Sequence, residues 1–66
     1  MDTDQLVVAL VARRTELGLT QRDAAARIGI SQSLLSYLER RIADPSADCL
    51  QRWADVLGVE TGDADA

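Results

Sequence analysis

Histidine is absent from this 66-residue chain, and the only cysteine is Cys49. A single cysteine cannot close an intramolecular disulfide, and without histidine there is no Cys/His cluster to bind zinc. The sequence also shows no Ser-His or Cys-His pair, no phosphate-binding loop and no carboxylate with an acid/base partner. We therefore expect a single domain that is not an enzyme, has no catalytic residues and needs no metal or cofactor.

Long apolar runs are missing as well. The longest, residues 6–12, is far too short to span a bilayer, and the early acidic residues Asp2 and Asp4 argue against a secretory signal. Strand-like alternation is nearly absent, and the only aromatic residues are Tyr37 and Trp53. We expect a soluble, cytoplasmic, all-α protein with neither a membrane partner nor a small-molecule substrate.

The charges are distributed unevenly along the chain. The net charge is −4, which taken alone argues against a nucleic-acid partner. Five of the acidic residues lie in the two terminal segments, however. Residues 13–41 hold six arginines against three acidic residues, a net charge of +3. The whole-chain value therefore hides a basic middle between acidic ends.

Capping and stop signals predict four helices, over about residues 4–17, 21–28, 31–40 and 47–57. The first is expected to turn Leu6, Leu10 and Leu17 inward, and the last to bury Leu50, Trp53, Ala54 and Leu57 at helical spacing. Valines 7, 8 and 11 widen the apolar surface of the first helix, either as core or as a subunit contact. Residues 1–59 form the expected domain, and the acidic segment 60–66 is expected to be a disordered tail.

The second and third predicted helices are separated only by Gly29, Ile30 and Ser31. Glycine can adopt a left-handed conformation at little cost, Ser31 can cap the next helix, and a small residue at Ala25 lets the two backbones approach. Two short helices joined in this way cross at about 90–120°. The pattern predicts a helix-turn-helix at about residues 21–40, with one face of the later helix free of the core.

The segment "LTQRDAAARIGISQSLLSYLER" resembles the helix-turn-helix of the phage repressor and Cro family, also called XRE-type. The segments "PSADCL" and "WADVLGV" are similar to the family's later helices, in the same order. The resemblance implies a compact, lambda-repressor-like bundle of four helices, with a fifth in many members, in a bacterial or phage-encoded protein. It also implies a sequence-specific double-stranded DNA-binding transcriptional regulator, usually a repressor, acting as a homodimer.

Three features depart from the family pattern. Arg41 stands where the family usually has glycine, so the third helix is expected to end in a different shape. Ile42 stands where a basic residue is common, which removes an expected phosphate contact. Little chain remains for a fifth helix, which often pairs subunits in the family.

The resemblance assigns base reading to the start of the third helix, at Gln32, Ser33 and Ser36. Plain solvated side chains are the alternative for all three. Phosphate contacts are expected from Gln21, Arg13, Tyr37, Arg40 and Arg41, with Gln21 also able to brace Gln32. Tyr37 could instead pack partly into the core. Arg14 and Glu39 are expected to form an internal, structural ion pair.

Two other interpretations of this sequence stay open. One is a protein-interaction module, such as an antitoxin-like or regulatory partner, which keeps the fold with weak or no DNA binding. The net charge of −4 and the missing basic residue at Ile42 favour it. The other is a DNA-binding domain cut from a longer repressor. Cys49 is expected to be an inert small residue, and Trp53 to lie in the core.

Overall fold

A computed structural model describes residues 2–59. They form four helices: α1 (Thr3–Glu16), α2 (Gln21–Ile28), α3 (Gln32–Glu39) and α4 (Ala47–Leu57). The all-α prediction is confirmed, and no strand or fifth helix occurs within residues 2–59. The predicted tail, residues 60–66, lies outside the described residues, so its disorder and the domain boundary at residue 59 stay predictions. No helix in the described part is both long and apolar enough to cross a membrane.

Each helix begins at the capping side chain that the sequence indicates. The Thr20 hydroxyl accepts the main-chain N–H of Asp23 at 3.0 Å, and the Asp23 carboxylate accepts that of Thr20 at 3.4 Å, which completes a capping box. Single capping bonds start the other three helices, at Asp2, Ser31 and Ser46. A cap of this kind stabilises a helix by about 1 kcal/mol.

The turn between α2 and α3 depends on Gly29. Its φ is +90°, a left-handed conformation that glycine adopts without a steric penalty. The main-chain N–H groups of Gly29 and Ile30 both donate to the Ala25 carbonyl, at 2.8 and 3.0 Å. These bonds satisfy the end of α2, so that α3 can begin two residues later in a new direction.

The core is aliphatic and closes around one fully buried tryptophan. Trp53 is 0% exposed, as expected, and it packs with the buried residues of all four helices: Leu6, Val7, Leu10, Ala24, Ala25, Ile28, Leu35, Leu38, Cys49, Ala54 and Leu57. The small side chains of Ala24 and Ala25 let α2 approach its neighbours closely. Burial raises the pKa of the Cys49 thiol, with Arg52 opposing that shift and Asp48 adding to it, which agrees with an unreactive cysteine.

One expectation about the core is wrong, and another holds only in part. Leu17 is 45% exposed, because α1 ends at Glu16 and the chain turns away before Leu17 can face inward. Leu50 is only partly buried at the edge of the core. The valines of α1 separate into three environments: Val7 is buried, Val11 is partly buried, and Val8 is 54% exposed.

Candidate nucleic-acid interface

One side of helix α3 is apolar and buried, and the other side is polar and faces solvent. Leu35 and Leu38 are buried, while Gln32 and Ser33 are exposed and Ser36 is half-buried. These outward residues share one side because Ser36 lies four residues after Gln32 and three after Ser33, the spacings that bring side chains together on a helix. This face borders an open groove of about 360 Å³. The groove is lined by Gln21, Gln32, Ser33, Ser36, Tyr37 and Arg40.

Behind the groove, Glu39 joins three helices. Its carboxylate accepts two hydrogen bonds from the Arg14 guanidinium, at 2.7 Å from Nε and 3.1 Å from Nη2. It accepts a third from the Gln21 side-chain amide at 2.9 Å. The Arg14 and Glu39 side chains are only 14% and 6% exposed. Arg14 also donates from Nη1 to the Leu19 carbonyl at 2.8 Å. The pair therefore ties α1 and the start of α2 to the end of α3.

Gln21 makes a different contact from the one that we expected. Because a carboxylate only accepts hydrogen bonds, the contact with Glu39 fixes the Gln21 amide with its nitrogen inward. Among residues 2–59 no hydrogen bond joins Gln21 to Gln32, so the expected brace is absent. Gln21 still opens α2, where main-chain N–H groups at a helix N-terminus favour an anion.

Tyr37 and Arg40 lie at the same edge of the groove. The Arg40 guanidinium stands 5.6 Å from the centre of the Tyr37 ring, a cation–π contact worth about 0.5–1 kcal/mol at an exposed site. Tyr37 is 47% exposed, so the alternative of core packing applies to only part of its ring. The stacked pair presents a positive charge and a hydroxyl to the groove.

Arg13 is not free, contrary to expectation. Its Nε donates to the Leu57 carbonyl at the end of α4, at 3.1 Å, and its Nη1 lies 3.4 Å from the Glu16 carboxylate. An arginine at a helix C-terminus satisfies a main-chain carbonyl and complements the negative end of the helix dipole. Arg13 is therefore committed to the packing of α1 on α4, away from the groove.

Arg41 is also outside the groove. It adopts φ +60°, the left-handed region that favours glycine, and it is the only non-glycine residue to do so within residues 2–59. Arg41 thus keeps the left-handed conformation at the position where the repressor-type family usually has glycine. Arg41 instead lines a shallow depression with Asp4, Gln5 and Val8 of α1. The two neighbouring arginines, 40 and 41, consequently serve different surfaces.

Arg52 makes a contact that the sequence does not predict. Its Nη1 donates to the Ile28 carbonyl at 3.1 Å, and its Nε lies 3.3 Å from Asp48. The hydrogen bond to the Ile28 carbonyl attaches the end of α2, directly before the turn, to α4. A Cβ added at Gly29 would meet the Arg52 guanidinium at 3.3 Å. Only the spacing of Asp48 and Arg52 was visible in the sequence, because the Ile28 carbonyl is a main-chain acceptor that any residue could provide.

The described fold is that of a helix-turn-helix protein: two short helices joined by a left-handed glycine, with a polar outer face on the second. A helix-turn-helix family model matches residues 10–63. The chain belongs to this helix-turn-helix family. This match confirms the resemblance to repressor-type domains that the sequence predicted.

Two kinds of relative are similar to this chain. An uncharacterized HTH-type transcriptional regulator, y4dJ of Sinorhizobium fredii, is 47% identical over 60 residues, covering 89% of this chain and 78% of the regulator. Antitoxin HigA1 of Mycobacterium tuberculosis is 40% identical over 53 residues, covering 80% of this chain. This chain spans only 36% of that antitoxin's length. No solved structure matches the chain.

Proposed function

We propose that this protein is a sequence-specific double-stranded DNA-binding transcriptional regulator that inserts α3 into the major groove. The observation that carries the proposal is the groove formed by Gln21, Gln32, Ser33, Ser36, Tyr37 and Arg40. It combines amide and hydroxyl groups with one stacked guanidinium on the free side of a helix whose other side is buried. The family match and the regulator y4dJ support the same class.

Base reading would fall to Gln32, with Ser33 and Ser36 beside it. A glutamine amide can pair with N6 and N7 of adenine, and Gln32 is exposed at the first turn of α3. The serines are short, so the helix backbone can approach the bases closely. Their hydroxyls can donate to or accept from either a base or a phosphate.

Phosphate binding would come from Arg40, Tyr37 and the main-chain N–H groups at the start of α2. Three other arginines, 13, 14 and 52, already bond to main-chain carbonyls. Few cations are therefore left for phosphates, and the net charge of −4 opposes binding at a distance. We infer that binding depends on a few close contacts. Its salt dependence should be correspondingly modest, because the slope of log affinity against log salt scales with the number of phosphates neutralised.

Repression by a homodimer is the form of regulation that we propose. One α3 reads one half-site, and a two-fold dimer reads two half-sites about 34 Å apart. A pair of half-sites is needed because the groove exposes only one short row of base-reading side chains.

The second candidate is a protein-interaction module, such as an antitoxin-like or regulatory partner, that keeps the fold with weak or no DNA binding. Antitoxin HigA1 is 40% identical to this chain, although this chain spans only about a third of it. In that case a protein partner would bind instead of DNA. The net charge of −4 suits a basic partner.

A titration against pooled random duplex at low salt separates the two candidates. The regulator predicts measurable binding that weakens as salt rises, whereas an interaction module that has lost DNA binding predicts none at any salt concentration. Selection from a random duplex library then identifies the preferred site.

The variant Gln32→Ala tests the base-reading assignment. It should relax preference at one position in each half-site, at a cost of about 1–3 kcal/mol. Gln51→Ala, at an exposed glutamine of α4, is the matched control and should select the wild-type site. An unchanged site for Gln32→Ala would refute Gln32 as a reader of bases.

A further inference from the structure

A second surface lies apart from the groove, on the N-terminal half of α1. We call it the α1 face and define it by the residues around a depression of about 320 Å³: Asp4, Gln5, Val8 and Arg41. The depression is open and mainly apolar, with Val8 54% exposed. Ile42, the residue after Arg41, is 67% exposed and is the most exposed large hydrophobic residue in the described part. The α1 face therefore combines exposed aliphatic side chains with one charge of each sign.

We propose that the α1 face binds the α1 face of a second copy of this chain in a two-fold dimer. This inference rests on the proposed function, for which it supplies the interface. A two-fold contact uses the same surface on both copies. If residue i of one copy touches residue j of the other, residue j of the first copy also touches residue i of the second. Asp4 of each copy then faces Arg41 of its partner, and the two Val8 side chains meet near the axis.

The charges of the α1 face favour a second copy over an unrelated partner. Asp4 and Arg41 flank the same depression, yet neither forms an ion pair within 4 Å inside the described chain. A surface carrying one acid and one base around an apolar centre is complementary to itself under two-fold rotation. A basic or acidic partner protein would leave one of the two charges facing its own sign.

The position of Arg41 connects the α1 face with DNA recognition. It lies two residues beyond the end of α3, which has eight residues and is therefore about 12 Å long. The residues that line the α1 face and those that line the groove do not overlap, so a dimer joined at the α1 face keeps the groove residues of both copies out of the contact.

The first experiment is sedimentation equilibrium on the full chain with matched variants. The wild-type chain should show a concentration-dependent equilibrium between monomer and dimer. Val8→Arg should raise the dissociation constant at least tenfold, because it places two further cations at the axis beside Arg41. Leu17→Arg makes the same substitution at a comparably exposed aliphatic residue elsewhere and should leave the dissociation constant within twofold of wild type.

A charge-exchange experiment tests the pairing of Asp4 with Arg41 directly. Asp4→Arg alone and Arg41→Asp alone each place like charges across the interface, so each should be monomeric where the wild type dimerises. An equimolar mixture should form a heterodimer, because both contacts then join opposite charges. Circular dichroism confirms that each variant is folded, and restored dimer in the mixture can only arise between chains.

These outcomes also separate the interface from the proposed DNA binding. Val8→Arg should bind a duplex carrying a single half-site within twofold of wild type and lose only the added affinity for two half-sites. A wild-type chain that stays monomeric, or a mixture that fails to dimerise, would overturn the interface while leaving half-site binding intact. Failure of the proposed function would instead abolish half-site binding in wild type and in Val8→Arg alike.

Discussion

The chain contains two Arg-Arg pairs, each at or just beyond the end of a helix, and the structure uses them in opposite ways. Arg13 and Arg14, near the end of α1, are both engaged inside the protein, with the Leu57 carbonyl and with Glu39 respectively. Arg40 and Arg41, after α3, have no ion pair within the described residues. One pair holds the helices together, and the other faces outward.

The difference lies in what each pair meets when the helices pack. The end of α1 lies against α4 and α3, where a main-chain carbonyl and a carboxylate need donors. The Arg40 and Arg41 side chains lie at the surface beyond α3, the first against the Tyr37 ring and the second beside the N-terminal half of α1. Identical dipeptides therefore differ in role because their neighbours differ.

The largest effect is expected at Arg14. Arg14→Ala leaves the Glu39 carboxylate 6% exposed and without its cation, which costs about 3–5 kcal/mol. A chain of this length has a total stability of only about 3–10 kcal/mol, so much of the variant should be unfolded. Urea unfolding followed by the fluorescence of the buried Trp53 measures the loss.

A double variant sharpens this result. Arg14→Met combined with Glu39→Leu removes both charges and should recover most of the stability, because apolar side chains of similar size can replace a buried ion pair. If Arg14→Ala costs less than about 1 kcal/mol, the pair behaves like a surface salt bridge. The contrast between the two arginine pairs would then disappear.

Arg40 should affect DNA binding while leaving the fold intact. Arg40→Ala removes one proposed phosphate contact, so affinity should fall similarly for all sequences, and the slope of log affinity against log salt should decrease by about 1. Arg27→Ala, at an exposed arginine of α2, is the control. Equal slopes for both variants would remove Arg40 from the interface.

Arg13 should have a smaller effect on stability than its neighbour. Arg13→Ala removes the bond to the Leu57 carbonyl at 3.1 Å, but the side chain is 44% exposed and water can replace the donor. The expected cost in urea unfolding is about 1 kcal/mol. A loss as large as that of Arg14→Ala would show that the end of α4 depends on this donor.

Arg41→Gly is expected to have the smallest effect on the free energy of unfolding, and to raise it where the other variants lower it. Arg41→Gly relieves the left-handed torsion at φ +60°, which costs a non-glycine residue about 1–2 kcal/mol. Glycine offsets part of this gain, because its backbone loses more conformational entropy on folding. The net gain should be about 0.5–1 kcal/mol. It is best measured by urea unfolding at a protein concentration low enough to keep the chain monomeric. A destabilised variant would mean that the Arg41 side chain makes compensating contacts in the monomer.

Most of the secondary structure was predictable because its signals act over three or four residues. The capping box of Thr20 and Asp23 and the left-handed Gly29 follow from neighbouring residues alone. The outward row of Gln32, Ser33 and Ser36 follows from helical periodicity. The exposure of Leu17 was missed because its environment depends on where the chain turns after α1.

By itself the sequence determined four capped helices, the sharp turn at Gly29 and the family of the protein, since each depends on residue types at short, fixed spacings. Only the tertiary structure decided which side-chain donors are free. Arg13, Arg52 and the Gln21 amide were all assigned by acceptors on distant helices. Packing likewise buried Val7 and exposed Val8. Contacts between distant segments depend on how the helices pack, and the order of the residues does not display that packing.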